Sequence, residues 1–205
     1  MNNSEQSASD KKKKKSGVKN LIKDLERNEL IEVILELSKI SRKNEQFIKL
    51  IIQGSNNEHR EKIVHNAKSK IRSVFFSKNG YPYEHINLKD ARSIVSQYSK
   101  ILKGFPDSIL DLKLYYVESG VEVIKDWGDM YDSFYDSIGS MLTSFCSDLF
   151  NNYKYYGDFS KRIDQIIIDT KGVGWGFHEF VLDTIYNLKE RLGIYNKDES
   201  ANENS

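Results

Sequence analysis

Apolar residues recur at intervals of three and four from Val18 to Leu192, and no stretch alternates convincingly in the manner of a strand. That spacing is the period of one helix face, so a chain patterned this way from end to end builds helices packed on helices. Only two prolines interrupt the 205 residues, which leaves room for long helices. The 12 Tyr and 10 Phe supply much of the area for a core. The expected fold class is all-α: a single domain of about eight or nine helices packed as antiparallel hairpins, with a solenoid-like stack as one form of it.

The stripes and their punctuation set out the elements. Val18, Leu21, Ile22 and Leu25 mark a first helix, and Leu30, Ile31, Val33, Ile34, Leu35, Leu37 and Ile40 a second. The second is apolar nearly all round, which places it deep in the packing. Asn44 is positioned to cap a third, carrying Phe47, Ile48, Ile51 and Ile52 and stopped by Gly54. A longer helix over 57–77 presents Ile63, Val64, Ala67, Ile71, Val74 and Phe75 on one face. Asn87 with Asp90 resembles a capping box, and Pro106 stands near a first helical position. Gly128 then parts a stripe over Leu110–Ile124 from one over Tyr131–Leu149. Two further stripes begin at Phe159 and Phe177. Residues 1–16 read as a disordered basic tail, 17–195 as the helical domain and 196–205 as a disordered acidic tail.

Charge is divided unevenly. Residues 1–80 hold 18 Lys/Arg against ten Asp/Glu, net +8, and residues 81–205 hold 13 against 20, net −7. Within the acidic half, Glu118, Glu122 and Asp126 share one helix face, with Asp111 a heptad before Glu118. Asp129, Asp132 and Asp136 line the start of the next helix. In a hairpin these two rows can confront each other, and like charges so placed call for a cation nearby. A Lys/Arg row from residues 60–78, a divalent metal held by oxygens, or a basic partner would each supply it. A di-iron site is not indicated, since no Glu-x-x-His pair lies on these helices.

The connector "DTKGVGWGFHEF" (169–180) raises a phosphate-binding reading, because a glycine-rich turn opening a helix can hold anions. A dinucleotide fingerprint would need its third glycine at Phe177, and no P-loop pattern is present. A packing junction accounts for more residues. Gly172 stops one helix with φ above zero, Gly174 and Gly176 let the next start hard against a neighbour, and Trp175 covers the joint. His178, beside the apolar stripe, reads as a packed or hydrogen-bonded side chain. With Trp175 it forms one corner of a candidate partner-binding surface.

Several stretches together carry a resemblance. They are "YPYEHINLKDARSIVSQY" (81–98), "DLKLYYVESGVEVIKDWGDMYDSFYDSIGSML" (111–142), the connector above, and "LIKDLERNELIEVILELSKISRKNEQFIKLII" (21–52). They resemble an uncharacterised bacterial all-helical family, a domain of unknown function, over about residues 18–190. The resemblance implies an all-helical, cytoplasmic bacterial protein. It implies no reaction, substrate, partner or site residue.

The motif search removes whole classes. There is no G-x-S-x-G, no H-E-x-x-H and no kinase signature, so no catalytic residue is assigned. The single cysteine, Cys146, falls on an apolar face, which suits a small hydrophobe better than a nucleophile. No apolar run approaches the ~18 residues of a membrane span, and the polar N-terminus does not read as a secretory signal, so the expected location is the cytoplasm. No cofactor or bound metal is assigned. The leading expectation is a non-enzymatic protein-interaction or accessory module with Glu118, Glu122, Asp126, Asp129, Asp132, Trp175 and His178 as its candidate surface. A second reading is a nucleic-acid-associated accessory protein using Lys11, Lys12, Lys13, Lys14 and Lys15, whose phosphate contacts would be sensitive to salt. A third is an enzyme or metal-binding protein with its site in the acidic hairpin.

Overall fold

The fold is taken from a computed structural model, which describes residues 17–18, 20–53, 57–174 and 176–194. The described residues form eight α-helices of 12 to 22 residues, a short helical stretch before them and one 3-10 turn. Among them the only β-pairing is an isolated bridge between Phe76 and Pro82. The expected all-α class is therefore the observed one. The chain divides into two compact units between Ile52 and Gln53.

The N-terminal unit holds α1 (Arg27–Ile40) and most of α2 (Arg42–Gln53). The Glu29 carboxylate accepts the Glu26 amide at 2.8 Å and steadies the first turn of α1. Ser41, not Asn44, caps α2: its hydroxyl accepts the Asn44 amide at 3.1 Å. Asn44 instead donates its side-chain amide back to the Leu37 carbonyl at 3.0 Å, bracing the α1–α2 turn. The expectation that α1 lies deep in the packing is overturned, because none of its residues is buried. Apolar pattern records that a helix needs covering, not what covers it, and in α1 only Leu30 and Ser38 are even half-buried.

The C-terminal unit contains α3 (Asn57–Phe75), α4 (Leu88–Ile101), α5 (Pro106–Trp127), α6 (Asp132–Asn151), the 3-10 turn Tyr153–Tyr155, α7 (Tyr156–Asp169) and α8 (Phe177–Arg191). Helix α5 is its axis, touched by α3, α4, α6 and α7. Pro106 opens α5 at its first position, and Gly128 at φ +81° closes it. Asn87 caps α4 by accepting the Asp90 amide at 3.3 Å. Phe75, Tyr116 and Phe134 are fully buried, with Phe75 edge-on to Tyr116 at 5.3 Å and to Phe134 at 6.4 Å. Burying each such ring stabilises the fold by about 1.5–3 kcal/mol. The one polar atom of Tyr116 is satisfied across the helix pair by Ser137 Oγ at 2.7 Å.

The close helix approaches lie elsewhere than in the glycine connector. A Cβ on Gly120 would overlap the Ile138 side chain, and one on Gly139 would meet Phe180 Cε1 at 2.8 Å. These two glycines bring α5 onto α6 and α6 onto α8. The expectation that Gly174 and Gly176 serve that purpose is corrected, since neither has an atom within 4 Å of where a Cβ would stand. Gly176 matters for another reason: it starts α8 with φ at +71°.

Candidate functional site

The seam between α5 and α6 decides where the acidic residues go. Lys113 reaches Ser144 and Asp148, Tyr116 meets Ser137, and Gly120 meets Ile138, so this row of α5 faces α6. Glu118 and Glu122 lie off that row and turn to other helices. Arg162 of α7 holds Glu118 through Nε at 2.6 Å and Nη2 at 2.7 Å, and holds Asp111 through Nη1 at 2.6 Å. Arg72 of α3 grips both Glu122 oxygens at 2.9 and 3.0 Å. Lys68 reaches Asp111 at 2.7 Å. The two acidic rows do not confront each other, because Glu118 and Glu122 are taken up by α7 and α3 while Asp136 lines a cleft with Phe177 and Phe180 of α8.

These contacts are electrostatically consistent. Burial lowers the Arg162 pKa, but the hydrogen bonds and charges of Glu118 and Asp111 outweigh it, so the guanidinium stays charged. The Glu122 hydrogen bond raises Arg72 in the same sense. The cations of α3 are all engaged within the protein. Arg60 stands 3.9 Å from Asp107, Lys62 2.6 Å from Glu58, and Lys70 donates to Tyr98 Oη at 2.9 Å, in addition to Lys68 and Arg72. Among the described residues no group of three or more His, Cys, Asp or Glu is placed to hold a metal.

At the far end of α5, Lys125 Nζ contacts Asp169 Oδ1 at 2.7 Å, and Gln165 adds a hydrogen bond at 2.9 Å. Partial burial pushes the Asp169 carboxyl up, but the bonds from Lys125 and Gln165 and the lysine charge outweigh it, so its pKa lies below the usual value. The pair borders a cleft of about 460 Å3 lined by Asp129, Tyr135, Lys171, Gly172 and Gly174. Gly172 ends α7 with φ at +81°, as the helix-stop reading requires. Three amides here are taken up by nearby carbonyls: Lys171 donates to Ile168, Val173 to Thr170, and Phe177 to Gly174. The cleft sets Asp129 and Asp169 beside Lys125 and Lys171, and Lys125 is already taken by Asp169, so its lining is of mixed charge rather than a dedicated phosphate cradle. His178 hydrogen-bonds through Nδ1 to Thr170 Oγ1 at 3.0 Å. The Thr170 hydroxyl also lies within hydrogen-bond distance of the Ile166 carbonyl at 2.9 Å, which ties His178 to the end of α7. Trp175 lies outside the described residues, as do Gly54, Lys11–Lys15 and the two tails.

What remains exposed is a corner. Asp126, Trp127, Asp129, Tyr131, Asp132 and Asp136 are all exposed, and residues 126–136 themselves contain no Lys or Arg, although Lys125 and Lys161 share a cleft with Asp126, and Lys125 and Lys171 one with Asp129. Tyr135 Oη donates to Asp129 at 3.0 Å and accepts the Met130 amide at 3.2 Å, fixing the α5–α6 turn. Tyr131 Oη donates to the Ile86 carbonyl at 3.4 Å, which sets the 76–87 turn, with exposed Tyr81 and Tyr83, beside that corner.

Comparison of the chain with protein-family models, with curated proteins and with solved structures finds no match. The functional reading therefore stands on these residues. Sequence reasoning missed Arg162 and Lys113, because a cation's partners 31 to 51 positions away leave no local signal. It also missed the exposed aromatics of the corner, since Trp127 and Tyr131 fall within helical apolar spacing. Cys146 is buried, and burial pushes its thiol up to about 12, which keeps it protonated and inert at neutral pH.

Proposed function

We propose that the protein is a non-enzymatic interaction module that binds a basic segment of a protein partner at the α5–α6 corner. The observation that carries this is the contrast in charge. Glu118 and Glu122 are neutralised by Arg162 and Arg72, whereas Asp126 and Asp132 are exposed next in sequence to the exposed rings of Trp127 and Tyr131, with exposed Asp136 one turn beyond. Aromatic rings flanked by carboxylates suit Lys or Arg side chains: the rings take the cation face-on and the acids pair with it at the rim. Asp129, anchored by Tyr135, gives the corner a fixed centre. The resemblance to a helical bacterial family agrees with a cytoplasmic bacterial setting for this module.

The test is a titration of isotopically labelled protein with a short Lys/Arg peptide and with its Asp/Glu counterpart, followed by amide NMR shifts. The basic peptide should perturb residues 81–86 and 126–136, with an effect that weakens as salt rises. No response to the basic peptide, or equal responses to both peptides, would refute the reading.

A further inference from the structure

The largest uncovered apolar surface of the N-terminal unit lies on α1. Ile31, Val33, Ile34, Leu35, Leu37 and Ile40 are between 42% and 73% exposed, and they cover more than half of the helix circumference. With the other exposed apolar residues of the same unit, Ile51 and Ile52 of α2 among them, on the order of 1,000 Å2 of apolar side chain faces water, against the ~800 Å2 that each partner gives to a standard interface. A helix apolar over most of its surface is stable only when covered, and isolated exposed patches of this size are rare on monomers.

Charge selects the cover. By sequence α1 carries Glu29, Glu32 and Glu36 against Arg27 and Lys39, while α2 carries Arg42, Lys43 and Lys49 against Glu45. The two helices are of opposite net sign, with Glu36 also paired to Lys39 at 2.7 Å and Lys49 to Glu45 at 2.6 Å within their own helices. A second copy turned about a twofold axis lays α1 on the partner's α2, and by symmetry α2 on the partner's α1, so both contacts are attractive. Pairing α1 with α1 would instead set one net-negative helix against another. A membrane surface fits less well, since α1 lacks the broad basic face of an interfacial helix and its net charge is negative. A cover needed whenever the chain is folded is also best met by the chain itself, which is always present in equal number.

We propose that the N-terminal unit is a dimerisation element in which α1 of one copy packs on α2 of a second. Light scattering of the full chain at micromolar concentration should give twice the 23.8 kDa of one chain. Ile34→Glu with Leu37→Glu should return it to a single chain, with the helical circular dichroism of the C-terminal unit retained. Charge provides a control that unfolding cannot mimic. Glu32→Lys with Glu36→Lys, or Lys49→Glu alone, should each weaken the dimer by about tenfold or more, and the three changes together should restore it. A wild-type chain that is monomeric, or monomeric and recruited to anionic phospholipid vesicles through α1, overturns the proposal. So does a dimer that survives Ile34→Glu with Leu37→Glu, or charge reversals that fail to rescue each other.

Discussion

Arg162 grips Glu118 with two nitrogens, Nε to Oε1 at 2.6 Å and Nη2 to Oε2 at 2.7 Å, while its third, Nη1, holds Asp111 Oδ1 at 2.6 Å. One guanidinium thus ties α7 to two carboxylates a heptad apart on the acidic face of α5. The fork geometry matches the carboxylate, which a lysine could not do. It also removes Glu118 and Asp111 from the charge available to a partner.

Breaking that grip should destabilise the C-terminal unit. Arg162→Met strips Glu118 of its cation in a half-buried site, and the expected cost is about 1–3 kcal/mol by urea unfolding. Glu118→Gln should cost a similar amount. In the double variant the losses should fall short of additive by roughly 0.5 kcal/mol or more. Full additivity would mean that the contact contributes nothing.

Three glycines should separate by mechanism. Gly120→Ala forces a methyl into Ile138 and should cost about 1–3 kcal/mol. Gly172→Ala meets no neighbour but must hold φ at +81°, at about 1 kcal/mol or more. Gly174→Ala has open space and no positive φ, so its effect should stay within about 0.5 kcal/mol. Melting temperatures of the three variants check the order.

Those glycines also show how much was legible in the sequence. Gly172 and Gly128 could be read, because a helix stop is a local event with a local signature. Pro106 and Asn87 were legible for the same reason. Gly120 was not, since its role is set by Ile138 on the next helix, across a turn. Helix α1 marks the opposite failure: its apolar pattern was read correctly, but burial was inferred from pattern alone, and no residue of α1 is buried. In the site, the acidic rows were visible as rows. Their division into paired and exposed members depends on Arg72 and Arg162, which reach α5 from helices before and after it.

Acid should dissolve the Lys125–Asp169 contact in a defined window. The Asp169 carboxyl titrates below its usual 3.8 in the folded chain, so its contribution is present at neutral pH. It is lost as pH falls below 3.8 and through the folded value. The stability difference between wild type and Asp169→Asn should therefore be constant from pH 7 to about 5 and shrink below that. A difference that grows on acidification would contradict the pairing.

Cys146 should resist alkylation. With the thiol pushed up to about 12 and the side chain buried, iodoacetamide at pH 8 should label it only in denaturant. Fast labelling of the native chain would mean that α6 opens locally.

The central claim is that the acidic residues are divided between fold and function, and calorimetric titration of variants with a short Lys/Arg peptide tests it most directly. Trp127→Ala and the double change Asp126→Asn, Asp132→Asn should abolish binding of the peptide while shifting the melting temperature little. Glu118→Gln and Glu122→Gln should lower the melting temperature and leave binding within a factor of about three, since their charge already belongs to Arg162 and Arg72. The reverse pattern, with binding lost on changing Glu118 or Glu122 and kept on changing the corner, would contradict the account.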